Sequence, residues 1–204
     1  MSGVTGTMRD DDTTPPPSTP DVPDGWEDDS YDDPTGPGAD EPGPVRPVNW
    51  NLLTAHELEQ EWLALNKWVT WLRHTYALPA SVIPPYWHRH PELQWELSAL
   101  HLHWLCAYAP DEDGSAPLGW HRDFAAARQR LRDWVAASGT RLDRDRPSRQ
   151  TVWPGEPPAP PIEDTPITNR REDFVAFVLA DVAKRQAAED AFFARLDDME
   201  GDPS

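Results

Sequence analysis

The chain has 204 residues and sets 36 acidic side chains against 18 basic ones, a formal net charge of -18. Its longest apolar run, Phe174 to Ala180, falls well short of the roughly 18 residues that cross a bilayer, and Met1 to Asp12 shows no basic-then-apolar leader pattern, so a cytoplasmic protein without membrane contact is expected. Cys106 is the only cysteine, which excludes an intrachain disulfide and a cysteine-based zinc knuckle.

Residues 1–47 hold 12 Asp or Glu, 2 Arg and 10 of the 24 prolines, too few apolar groups to offset chain entropy. A disordered acidic arm is expected there. Residues 48–153 are nearly neutral, with 12 acids against 11 bases, and carry 10 of the 11 tryptophans. This is the expected folded domain, a protease-stable core of helices.

Its first helix is announced by Leu53-Thr54-Ala55-His56-Glu57-Leu58: Thr54 can cap, Glu57 can reach back, and Leu53 with Leu58 can form the hydrophobic staple. Leu58, Trp62, Leu65, Val69, Leu72 and Tyr76 then recur every three or four residues, predicting a helix over 55–77. Pro79, Pro84 and Pro85 make 78–90 a shaped connection. Pro91 suits a first helical position, and Leu93, Leu97, Leu100, Trp104 and Ala107 predict a second helix over 91–109. A third carries Trp120, Phe124, Ala127, Leu131 and Trp134 on its inner stripe and ends at Gly139. The fold class is therefore mainly α, a small three-helix Trp-rich bundle. From Thr140 the chain reads as an extended tail with Trp153 pinned back, then a Pro-rich linker over 154–168. A separate C-terminal amphipathic helix is predicted over 169–198, followed by a tail, 199–204. Arg185 and Glu189 interrupt its apolar stripe, which suits a helix that is free, self-associates or folds on a partner.

Seven histidines lie between His56 and His121, and His88 and His90 could converge on a metal. His101 and His103 cannot join them as a pair, being roughly 200° apart around a helix. No Cys pair or His-x3-His pair anchors such a site, and no phosphate-binding loop, G-x-S-x-G or H-E-x-x-H is present. Residues 122–149 hold 8 arginines and 4 acids, so Arg122, Arg128 and Arg132 are candidate nucleic-acid contacts. Their helical angles scatter, and the interleaved acids argue for a salt-bridged surface.

The tryptophans carry the strongest signal. Trp62, Trp104, Trp120 and Trp134 fall on inward stripes, whereas Trp68, Trp71 and Trp95 widen the apolar arc beyond what two neighbouring helices need. They either cover the tail segment or form an exposed aromatic surface that binds protein. On the C-terminal helix Phe174, Phe177, Val178, Phe192 and Phe193 form a second candidate protein-binding surface.

At Trp87-His88-Arg89-His90-Pro91-Glu92-Leu93, followed by Leu97, Leu100 and Trp104, the chain resembles an actinobacterial family known as a domain of unknown function. That family has a Trp, a His-Pro-Glu helix start, a Leu-x-x-Leu-x-x-x-Trp run and a later Trp-Trp-Arg-Asp segment, here Trp120-His121-Arg122-Asp123 with His for the second Trp. Trp68-Val69-x-x-Leu72-x-x-x-Tyr76 is similar to its opening helix, so the resemblance covers residues 55–125. It implies an accessory role on a plasmid, phage or integrated conjugative element and supplies no catalytic residue. The functional expectation is a non-enzymatic protein-interaction or accessory protein with no cofactor, whose partner is another protein or a second copy held by the C-terminal helix. DNA binding through the Arg-rich 122–149 region, with the acidic arms as autoinhibitors, is the alternative. A metal-binding enzyme built on His88 and His90 is the third reading.

Overall fold

The computed structural model describes residues 46–200, so the acidic arm expected over 1–47 lies almost wholly outside the described residues. Helix α1, Ala55–Thr75, starts where its capping box dictates: Glu57 N donates to Thr54 Oγ1 at 3.3 Å and Thr54 N donates to Glu57 Oε2 at 2.8 Å. Leu58, Trp62, Leu65, Trp68, Val69 and Leu72 are buried along it. The proline-rich segment that follows does more than connect. Val82, Ile83, Tyr86 and Trp87 are buried, the last on a single 3₁₀ turn over Trp87–Arg89, so this loop supplies a full wall of the core.

Helix α2, Pro91–Ala107, begins on its proline, and helix α3, Ala116–Ser138, ends at Gly139, whose φ of 79° only glycine adopts without strain. The inward track of α3 runs Trp120, Phe124, Ala127, Leu131, Val135. Taking Val135 rather than Trp134 as the last inward residue leaves the expected core residue Trp134 exposed. Beyond Gly139 the chain is more ordered than a plain tail. Strand β1, Arg144–Asp145, pairs antiparallel with β2, Thr165–Pro166, with Arg144 opposite Pro166 and Asp145 opposite Thr165. Trp153, expected to be pinned back, lies in the segment between the two strands and is 70% exposed.

Helix α4, Arg170–Glu200, is the expected C-terminal amphipathic helix. Asn169 caps it, its Oδ1 accepting from Arg171 N at 3.1 Å and Glu172 N at 3.3 Å. It lies antiparallel on α1. Arg170 bonds the Asn66 side chain, Trp62 Nε1 donates to Asp181 Oδ2 at 3.0 Å, and Ala55 N donates to Glu189 Oε1 at 2.8 Å. Arg185 donates to the carbonyls of Asn51 and Trp50 at 2.8 and 3.0 Å. The two charges that interrupt the apolar stripe thus satisfy backbone groups at the start of α1, Glu189 answering one of the orphan amides of a helix N-terminus. Helix neighbours run α3, α2, α1, α4, and all described residues fall in one compact unit.

The centre of the core is aromatic. Trp62 meets Trp50 at 4.7 Å, Trp87 at 6.0 Å, Phe177 at 5.4 Å and Phe174 at 6.3 Å between ring centroids. Leu97 on α2 is fully buried, and Leu97→Ala should cost about 2–5 kcal/mol in denaturant unfolding. Because α4 covers Trp62, removing residues 169–204 should lower the melting temperature sharply, and limited proteolysis should protect a fragment that includes α4. A protected fragment ending at 153 with unchanged melting would contradict this packing.

Candidate functional site

His88 and His90 stand two residues apart, yet their imidazoles go to different partners. His88 is buried, with its ring edge-on to Phe174 and Phe177 at 5.3 and 5.1 Å. Its Nε2 lies 2.8 Å from Asp173 Oδ2, the oxygen to which Arg89 Nε also donates at 3.0 Å, while Arg89 Nη2 bonds the other oxygen. Burial, the largest influence, holds the His88 pKa down to about 4 although Asp173 pulls the other way. The ring is therefore neutral near pH 7, with the proton on Nε2 facing the carboxylate and Nδ1 unpartnered among the described residues.

His90 is in the opposite state. It is as deeply buried, but Nε2 lies 2.8 Å from Asp145 Oδ1 and Nδ1 lies 3.5 Å from Glu92 Oε1. Burial opposes its charge, and the two carboxylates outweigh burial, lifting the pKa to about 9. Glu92 is also desolvated, yet His90 and the Ser148 hydroxyl hold its pKa down to about 2. Asp145, likewise desolvated, is lowered by His90, and its Oδ1 accepts from Thr140 Oγ1 at 2.9 Å. The His88 cluster ties α4 to the 3₁₀ turn, and the His90 cluster ties β1 to the start of α2. A charged His90 donates from both nitrogens and has no lone pair for a metal. No group of three metal-ligating side chains occurs among the described residues, so the structure does not bring His88 and His90 together as ligands.

The tryptophans divide by burial. Trp68 is only 5% exposed, so it belongs to the core rather than to the candidate binding surface. It stacks on His101 at 4.9 Å and meets Trp71 at 6.4 Å and Trp104 at 6.5 Å. Trp71 is 40% exposed and packs on Trp104 at 5.1 Å; Trp104 in turn meets Tyr108, 46% exposed, at 5.4 Å. These rings form a strip between the C-terminal halves of α1 and α2, with its inner edge fixed and its outer edge in solvent. Trp95 is as exposed as Trp71, but nine helical positions from Trp104 place it on roughly the opposite side of α2. Helical spacing marks Trp71 in the sequence, whereas Tyr108 lies off the inward stripe of α2 and carries no such mark.

The candidate arginines are engaged by different neighbours. Arg122 Nε donates to Asp123 Oδ1 at 3.1 Å, Arg128 is half-buried over the Phe124 ring at 5.8 Å, and Arg132 donates to Gln129 Oε1 at 3.4 Å. Arg130 pairs with Glu96 at 2.6 Å, and Arg144 and Arg146 share Asp164 at 3.2 and 2.7 Å. On α4, Phe174 and Val178 are buried and Phe177 is half-buried, so three residues expected to meet a partner meet α1 and the 3₁₀ turn instead. Phe192 and Phe193, 5.7 Å apart, remain exposed beyond Glu189, where α4 has passed the first residue of α1. No helix among the described residues is long and apolar enough to cross a membrane. No protein family matches the chain, and neither curated proteins nor solved structures give a match.

The two buried histidines give stability opposite pH slopes. His90, raised from 6.5 to about 9, contributes fully below pH 6.5, and its contribution is lost as pH rises through about 9. His88, lowered from 6.5 to about 4, contributes fully above pH 6.5, and its contribution is lost as pH falls through about 4. Unfolding midpoints should peak near pH 6.5, and His90→Gln should lower the peak while flattening the alkaline limb. An alkaline limb as steep in His90→Gln as in the parent would show that another group sets it.

Proposed function

We propose that this chain is a non-enzymatic interaction protein, an accessory factor of an actinobacterial plasmid, phage or conjugative element, and that it holds a protein partner on the ring strip Trp71, Trp104 and Tyr108. The observation that carries the reading is the half-exposure of Trp71 and Tyr108 on a backing that is already packed. Rings packed at a tilt on Trp104 and Trp68 lose little side-chain freedom when a partner covers them, and large fixed aromatics of this kind dominate protein interfaces. The complementary surface is an apolar side-chain cluster, such as one face of an amphipathic helix. The mobile-element assignment is supported by the resemblance over residues 55–125. Exposed Phe192 and Phe193 on the projecting end of α4 favour self-association as a second contact. DNA binding has weaker support, since Arg122 is paired and Arg128 is half-buried.

Capture from cells that encode the protein tests the reading. The joint change Trp71→Gln and Tyr108→Gln should reduce recovery of the partner roughly tenfold or more, the loss of one good aromatic contact. Arg122→Ala with Arg132→Ala should leave recovery unchanged. Equal recovery by the aromatic variant and the parent, or retention of duplex DNA that the arginine variant abolishes, would overturn the proposal.

A further inference from the structure

Between the end of α1, the proline-rich loop and the start of α4 lies a cavity of about 220 Å³. Apart from Thr70 and two arginines its walls are apolar, with Val69 from α1, Leu78 and Ile83 from the loop, and Trp87 from the 3₁₀ turn. Two guanidinium groups, Arg73 and Arg170, line the same cavity. In a chain with twice as many acids as bases, neither of them has a carboxylate partner among the described residues. Arg73 bonds only the ring of its neighbour His74, at 2.8 Å. Arg170 bonds the Asn66 amide and lies over the Phe174 ring at 5.6 Å. Burial, and then the nearby Arg73 charge, lower the Arg170 pKa. After α2, Arg122, Arg130, Arg144 and Arg146 meet a carboxylate, at Asp123, Glu96 or Asp164. Here two positive charges without acids among the described residues line one recess.

Such an arrangement leaves free energy unrealised in two ways. Like charges held together without a counterion are unfavourable, and an apolar recess is best filled by an apolar body. One molecule answers both demands if it joins a carboxylate to a compact hydrocarbon group. Volume limits that group, since an apolar cavity of roughly 150 Å³ holds one benzene ring, leaving room here for one ring and its acid head. We infer that the cavity between α1 and α4 is a binding site for a small aromatic or branched-chain carboxylic acid, its acid group held by Arg73 and Arg170 and its apolar body seated among Val69, Leu78, Ile83 and Trp87. The guanidinium fork matches a carboxylate in two parallel hydrogen bonds, which fixes orientation as well as charge.

The site is independent of the ring strip, and its test uses the full chain. Benzoate, phenylacetate and a branched-chain acid are titrated by calorimetry and by ligand-observed NMR, with benzamide and inorganic phosphate as controls. At least one acid should bind with a dissociation constant of about 0.1–1 mM, the range open to so few atoms. Benzamide and phosphate should each bind roughly tenfold or more weakly, because each lacks one of the two required features. Arg73→Gln, at an exposed position with no buried partner, should weaken the acid roughly tenfold, and Arg170→Gln should do the same; Arg122→Gln should not. Absence of acid binding, as would follow if the chain's own acidic arm occupied the recess, would overturn the inference. So would equal affinity for benzamide or phosphate, or acid binding indifferent to both arginine changes.

Discussion

Trp62 is the residue on which the assembly of this protein turns. Its indole is the largest side chain at the junction of α1 and α4, and it is almost fully buried. Four aromatic rings approach it, two of them from α4. Burial of a tryptophan removes roughly 150–250 Å² from water, a gain that is reduced if its N–H is left without an acceptor. Asp181 of α4 supplies that acceptor at 3.0 Å. The same helix therefore provides both the apolar cover and the polar satisfaction of the central residue. Trp50, Trp68 and Trp87 are buried with indole N–H groups unpartnered among the described residues, whereas Trp62 and Trp120, the latter donating to the Leu100 carbonyl at 3.3 Å, are satisfied.

Around this centre, two histidines of nearly equal burial are held in different charge states. Desolvation acts on both in the same direction, toward the neutral form. What separates them is the number of carboxylates. His90 faces Asp145 and Glu92, whereas His88 shares its single carboxylate, Asp173, with Arg89 and is otherwise surrounded by aromatic edges. One carboxylate divided between two donors does not offset burial; two carboxylates on one imidazole do. Each cluster fastens a stretch poor in apolar side chains: β1 is two residues long, and the first turn of α4 carries four charges before Phe174.

Helices α1, α2 and α3 were legible because each is a local pattern: a capping box at Thr54 and Glu57, a proline at the first position of α2, a glycine after α3, and apolar residues at helical spacing. The docking of α4 was not. Arg185 and Glu189 break its stripe, and an interrupted stripe reads as partial exposure when the residues opposite it are unknown. Their partners are backbone groups of Trp50, Asn51 and Ala55, about 134 residues away in sequence, and no spacing rule encodes a side chain's bond to a distant amide. Asp145 and Asp173 were unreadable for the same reason, since a charged residue in a polar segment looks solvated until the histidine that buries it is known. Trp68 failed differently: the 100° wheel placed it beside the core stripe, and the wide groove between α1 and α2 proved able to cover it. The candidate recess had no signature at all, because its walls come from α1, a proline-rich loop and the 3₁₀ turn, and one of its two arginines opens α4.

The C-terminal turns of α1 serve two different environments because of helical geometry alone. Trp71 and Arg73 are two residues apart, roughly 200° around the axis, so one side meets α2 and the ring strip while the other meets the proline-rich loop and the recess. Between them Leu72 is completely buried and Val69 nearly so, which fixes the backbone that both sides share. A rigid common element of this kind holds each surface in shape without making one respond to the other, since coupling between sites requires an element with two arrangements that both sites bias. No such element is evident along the buried stripe of α1, where side chains are close-packed and the helix is continuous from Ala55 to Thr75. The ring strip and the recess are thus two independent features of one scaffold, and substitutions on one side should add to, rather than modify, the effects of substitutions on the other.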